Sequence, residues 1–250
     1  MFILFALVFM RMSGAVYFNP VFGRSNVPNA FKGALAFMLT LMMYMSVGGE
    51  LQHQPATMVE FGVMLVKELL VGFSLGFSME LFFMVTRYAS SIIDHTMGLS
   101  MAQVYDPGTR SQMTVSAGLY YAFVFLLFLA QDGHVRQVAL LFRSARLIPF
   151  GDVTVRPELY QLMLEIFRNN IVMGVQFAFP IIAIEMVTEA AVGILMRMIP
   201  QINVFAVNFQ IKIMMGLFML VFLFSPMADR IYIIVDNMFL YMERLVVLMS

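Results

Sequence analysis

The feature that most constrains this chain is a conflict inside its apolar stretches: they are long enough to cross a bilayer, yet they carry ionisable side chains. Six stretches, at roughly 1–22, 31–48, 59–86, 113–131, 160–195 and 203–225, approach or exceed the ~20 residues a helix needs to traverse the hydrocarbon core. Within them lie Arg11, Lys67, Glu68, Glu80, Glu185, Glu189 and Lys212, and Pro180 interrupts the fifth. An ionisable group at mid-bilayer costs at least ~2.5–3.5 kcal/mol, so these residues together would cost ~17 kcal/mol or more if all faced lipid. They are therefore expected to face protein or water.

Composition leaves little room for a soluble alternative. Hydrophobic residues make up 61% of the chain and charged residues 12%, with a mean hydropathy of +0.87. A soluble domain carries about 25% charged residues, so the chain must present apolar surface to lipid or to other chains. Net charge is zero, which gives no reason to expect a nucleic acid partner. Cysteine is absent, which excludes disulfides and thiolate metal sites. Met1 to Met10 lacks a basic leader and a small-residue cleavage site, and reads as the front of a membrane helix.

The basic residues do not collect on one side of an alternating topology, as they should in an ordinary six-span transporter. This points to unusual helices, such as hairpins inside an assembly. Turns or helix ends are expected at Asn19-Pro20, Val27-Pro28, Gly48-Gly49, Asp106-Pro107-Gly108, Asp132-Gly133, Pro149-Phe150-Gly151 and Ser225-Pro226. The arginine-rich stretch 133–157 is the expected boundary between two halves. Near the C-terminus, Asp229-Arg230, Asp236-Asn237 and Glu243-Arg244 recur every seven residues among apolar ones. This is a helix with a narrow polar stripe and a wide apolar face. Such a helix lies either at a bilayer surface or against neighbouring subunits, and the buried charges favour the second.

Two stripes could carry chemistry. Glu68, Gly72, Gly76 and Glu80 lie four apart on one helix. The glycines suit close helix packing, and the carboxylates suit ion pairs more readily than proton transfer. Glu185, Glu189, Gly193 and Arg197 repeat that spacing, and Lys212 on the next helix could neutralise one acid. This arrangement serves a structural ion-pair network or a proton relay. His53, His95 and His134 have no ligand-like spacing, and no catalytic or metal-binding motif is present, so no cofactor and no enzymatic activity are expected. Methionine and phenylalanine, 26 residues each, are lipid-compatible fillers or a soft, adaptable lining.

Several motifs in register resemble the FliR/SctT family. They are Asp94-His95-Thr96-Met97-Gly98-Leu99-Ser100-Met101-Ala102 with Asp106-Pro107, Gly133-His134 with Ile148-Pro149-Phe150-Gly151, and Gly193 to Phe205 with Lys212 and Gly216. In the last run, Arg197, Pro200, Gln201, Asn203 and Phe205 are the most specific. Arg11, Pro20, Val27-Pro28 and Lys32 fit the family's first hairpin, and Glu68, Gly72, Gly76 and Phe77 its third helix. Where the family has Gly-Phe-Pro this chain reads Asn208-Phe209-Gln210, so the kink expected there is absent.

The resemblance implies an all-α integral membrane protein of about six long kinked helices arranged as hairpins. Residues 1–151 would form a FliP-like portion, and 152–250 a FliQ-like hairpin with a C-terminal amphipathic helix. It implies a non-enzymatic subunit of a flagellar type III export gate in the bacterial inner membrane, at the flagellar basal body. FliP-like, FliQ-like and FlhB-like subunits, unfolded export substrates and lipid would be its partners. The family's plug falls on 98–107, with Leu99, Met101 and Val104 as apolar constriction and Gly98, Pro107 and Gly108 as hinges. Gly72, Gly76 and Gly193 would serve helix packing. Glu68, Glu80, Glu185, Glu189, Arg197 and Lys212 would form the buried charge network. An independent proton-coupled transporter using Glu185 or Glu189, and a purely structural assembly nucleus, are the competing readings.

Overall fold

Among the described residues, the buried charges Arg11, Lys32, Glu68 and Asp94 find partners within the chain, and Glu185 does not. The computed structural model describes residues 2–47, 51, 53–106, 111–153, 157–199 and 204–249, without the side chains of Met101 and residues 204–206. Among these, the helices are α1 (Phe2–Tyr17), α2 (Asn29–Val47), α3 (Met58–Thr96), α4 (Val115–Ala130), α5 (Gly133–Leu147), α6 (Pro157–Met198), α7 (Val204–Phe222) and α8 (Phe224–Leu248). Between α3 and α4 lie a 3-10 turn (Leu99–Met101) and two short strands, β1 (Gln103–Asp106) and β2 (Ser111–Thr114). The all-α membrane class holds: three helices are long and apolar enough to cross a bilayer, or up to five if the bent pairs α4–α5 (65°) and α7–α8 (63°) each count as one span.

Helix α3 is the axis, packed against α1, α4, α6 and α8. It crosses α1 at a seam of glycines. A Cβ at Gly14 would sit 2.7 Å from the Leu69 carbonyl oxygen, and one at Gly72 would fall on the Arg11 carbonyl and 2.8 Å from the Ala15 nitrogen. A Cβ at Gly76 would lie 3.1 Å from the Phe18 carbonyl carbon. Only residues without side chains let the two backbones approach so closely.

That approach places Arg11 beside Glu68. Both side chains are fully buried, and Arg11 Nε donates to Glu68 Oε2 at 2.6 Å. Arg11 Nη1 donates to the carbonyls of Ser144 (3.2 Å) and Ile148 (3.1 Å), which join the end of α5 to the cluster. Glu68 Oε1 accepts from the Gly151 N–H at 2.9 Å, and the guanidinium lies 4.1 Å from the centre of the Phe150 ring. One pair thus ties α1, α3, α5 and the 148–151 turn together.

Two expectations are corrected. The stretch 133–157 is not simply a loop boundary, because residues 133–147 form α5. Gln137, Leu140, Leu141, Ser144 and Ala145 are its buried face at helical spacing, and Arg136, Arg143 and Arg146 lie on its exposed side. The apolar face of α8 does not await another subunit. Met227, Ile231, Ile234, Met238, Met242 and Leu245 are buried within the chain, where α8 packs on α3, α4, α5 and α6. The polar stripe of α8 meets α5 in register: Asp236 pairs with Arg136 (3.6 Å) and Glu243 with Arg143 (3.4 Å). These exposed pairs set alignment more than stability. Pro180 lies on an exposed side of α6 and does not end it, and α7 runs unbroken through Asn208-Phe209-Gln210.

Replacing Arg11 by Met strands a buried carboxylate. The expected loss is about 3–5 kcal/mol, read as a lower unfolding temperature in detergent. The double variant Arg11→Met/Glu68→Leu should recover most of it, since neither charge then remains.

Candidate functional site

The segment between α3 and α4 carries the expected plug, and its two ends are pinned together. Asp94, fully buried near the end of α3, accepts from the Ser116 N–H (2.8 Å) and from the Ser116 hydroxyl (2.5 Å). Thr114 precedes α4 but makes no side-chain cap. Asp94 therefore supplies the cap from outside the helix, satisfying an orphan N–H at a helix start. The connection between the end of α3 and the start of α4, the 95–115 excursion, is thus closed at its root by one carboxylate.

The excursion begins with a reversal at Gly98, whose φ of 79° lies in the left-handed region. That backbone conformation favours glycine, and a Cβ there would stand a tight 3.2 Å from the Phe209 ring of α7. Met97, fully buried, packs onto α7 at Gly216. After the 3-10 turn, β1 and β2 pair antiparallel with Val104 opposite Met113 and Tyr105 opposite Gln112. A short hairpin, not an irregular loop, thus occupies much of the expected plug.

Of the expected constriction residues, Leu99 is half-buried and packs on the core, whereas Val104 is 63% exposed. Met101 ends the 3-10 turn, and its side chain lies outside the described residues. Of the hinges, Gly98 is described, while Pro107 and Gly108 fall outside the described residues. The hairpin stands between two clefts. One, of about 520 Å³, is lined by Arg24, Val104, Tyr105, Met113 and Leu119. The other, of about 440 Å³, is lined by Glu80, Arg87, Gln103, Gln112 and Ala117.

The six charges expected as one buried network fall into separate contacts. Glu68 pairs with Arg11, Glu80 with Arg87, and Glu189 with Lys212 at 3.1 Å. Arg197 is exposed and the Glu189 side chain is 61% exposed, so neither is buried. Glu185 is buried, and neither of its oxygens has a hydrogen-bond partner among the described residues. A Cβ at Gly193 would meet nothing within 4 Å, so that glycine serves no packing among the described residues. Pro200, Gln201 and Asn203 lie outside the described residues, and Phe205 lies in α7 without a described side chain. No group of three or more metal-ligating side chains occurs among the described residues.

The profile of the bacterial export proteins, family 1, matches residues 2–238. The chain belongs to that family. Among curated relatives, it is 30% identical to the flagellar biosynthetic protein FliR of Pectobacterium carotovorum subsp. carotovorum, over 90% of this chain and 86% of the relative. It is 29% identical to the protein of that name from Bacillus subtilis (94% and 90%) and 27% identical to that from Escherichia coli K12 (92% and 88%). This family 1 export protein therefore resembles its relatives along nearly their whole length.

Sequence reasoning missed the clamp. Asp94 was legible as part of a motif, but its partner Ser116 lies 22 residues on and carries no signature. Asp94→Ala leaves the start of α4 without its cap at a cost of about 1–3 kcal/mol. Residues 98–114 should then become more open to protease and exchange amide hydrogens faster, while α1 and the α3 residues packed on it stay protected.

Proposed function

We propose that this chain is a subunit of the flagellar type III export gate. With FliP-like and FliQ-like subunits, and an FlhB-like one beside them, it would form a gated conduit for unfolded polypeptide across the bacterial inner membrane at the flagellar basal body. Family membership and the FliR relatives support a role in flagellar protein export. The observation that carries the gating part is the 95–115 excursion: pinned at its root by Asp94, reversed at Gly98, and flanked by clefts on two sides.

In this reading Leu99, Met101 and Val104 form an apolar seal, with Gly98, Pro107 and Gly108 as the points where the segment bends away. An apolar constriction resists ions because it gives nothing in place of their hydration, and unbranched methionine adapts to passing side chains. Residues 1–151 act as the FliP-like portion and 152–250 as the FliQ-like hairpin with its amphipathic end. The Arg197-Pro200-Gln201-Asn203-Phe205 series belongs to the second portion. The role is structural and assigns no residue to catalysis.

Deleting residues 98–107, or changing Met101 to Gly, should raise ion conductance across membranes that contain the assembled gate. A conductance equal to that of the unaltered gate would overturn the plug assignment. The chain reconstituted alone should conduct and transport nothing, and activity should appear only with FliP- and FliQ-like subunits. Uptake by the lone chain would favour a self-sufficient transporter instead.

A further inference from the structure

Glu185 stands apart from the other acidic residues of the membrane helices. It is 3% exposed, and among the described residues neither oxygen has a hydrogen-bond partner. Glu68 has Arg11 and a backbone N–H, Asp94 has Ser116, and Glu80 has Arg87. Thr188, three residues on in the same helix, spends its hydroxyl on the Ile184 carbonyl at 2.9 Å.

The charges acting on Glu185 are Lys212 of α7 and Glu189 of its own helix. Lys212 is held by Glu189 at 3.1 Å, so two acids share one base. The other helices packed on α6 do not change this balance. At the end of α3, Asp94 has both oxygens on Ser116 and His95 is exposed, while the α8 charges Asp229 and Arg230 are exposed. An ionised, unsolvated and unpaired carboxylate is among the most costly groups a protein can bury. The ligand that removes this cost must reach atoms closed to water and small cations.

We propose that Glu185 is a proton-binding site, occupied while α6 and α7 are packed as observed. The site is built so that the proton can be exchanged for Lys212. Glu189 is 61% exposed and can be solvated alone, so moving the ammonium from Glu189 to Glu185 leaves no stranded charge when the proton departs. Lys212 lies one helical turn before Gly216, where Met97 packs, and three residues after Phe209, which abuts Gly98. Proton occupancy at Glu185 is thereby linked to the stretch of α7 that supports the root of the 95–115 excursion. The protonation itself does not rest on the conduit reading.

The test is infrared difference spectroscopy on the full chain in its purified assembly, stepping from mildly acidic to alkaline pH. A carbonyl stretch of a protonated carboxyl should be present at mildly acidic pH and lost on alkalinisation. It should be missing in Glu185→Gln and retained in Glu189→Gln. If Glu185→Gln does not fold, Glu185→Asp should shift the band in frequency. Identical difference spectra for the unaltered chain and the Glu185 variant overturn the proposal, whatever the conductance measurements give.

Discussion

The structure depends on burying one ion pair at a helix crossing that glycine makes possible. Arg11 and Glu68 can be brought together only because Gly14 and Gly72 let α1 and α3 meet backbone to backbone. The pair is then tolerated because most of its remaining donors and acceptors are used: Arg11 Nη1 on two carbonyls near the end of α5 and Glu68 Oε1 on the N–H of Gly151, with Arg11 Nη2 left without a hydrogen-bond partner among the described residues. A buried charge pair is weak evidence for net stability, since desolvation offsets much of the attraction. Its effect here is on specificity. An apolar chain whose helices could slide past each other has one register in which Arg11 and Glu68 meet, and that register also fixes where α5 and the 148–151 turn sit.

From this frame the functional segment takes its position. The same helix that carries Glu68 carries Asp94 seven turns on, so the rigid body that fixes the ion pair also fixes the clamp on α4. The amphipathic helices α5 and α8 close the other side, aligned by Arg136 and Arg143 against Asp236 and Glu243. Rigidity is thus concentrated in the helical body. The segment between Asp94 and Ser116 has a fixed root and clefts beside its hairpin.

The membrane class and most helices were legible in the sequence, because the cost of charge in lipid and the length of a bilayer-crossing helix leave few alternatives. The glycine stripe at Gly72 and Gly76 was legible as packing, since small residues at helical spacing have few other uses. What failed was physical in origin. Residues of α5 read as a loop because Arg136, Arg143 and Arg146, with Arg156 beyond the helix, outweighed the weaker periodicity of Gln137, Leu140, Leu141, Ser144 and Ala145. The strands were invisible because Gln103–Asp106 and Ser111–Thr114 are too short to show alternation. Pairings such as Arg11 with Glu68, 57 residues apart, are decided by how the helices cross, which one sequence does not encode in any local pattern. Grouping six charges into one network overlooked that exposed Glu189 and Arg197 do not need burial partners.

The contrast between clamp and hairpin also bears on what can move. A two-stranded hairpin of four-residue strands is at best marginally stable on its own. Its position comes from its surroundings: β1 and β2 pack on α4 and β2 also on α3, while at its base Leu99 packs on the core, Met97 against Gly216, and Gly98 beneath Phe209. Two of those base contacts are with α7, a helix in which Gly216 is the one buried residue among those described. The turn that leads into the hairpin therefore rests on the least embedded helix of the chain, while the strands rest on α4 and α3. A displacement of α7 would remove support from the 97–98 turn without disturbing Asp94 or the Arg11–Glu68 pair, so the base of the segment can shift while the body that carries it stays folded.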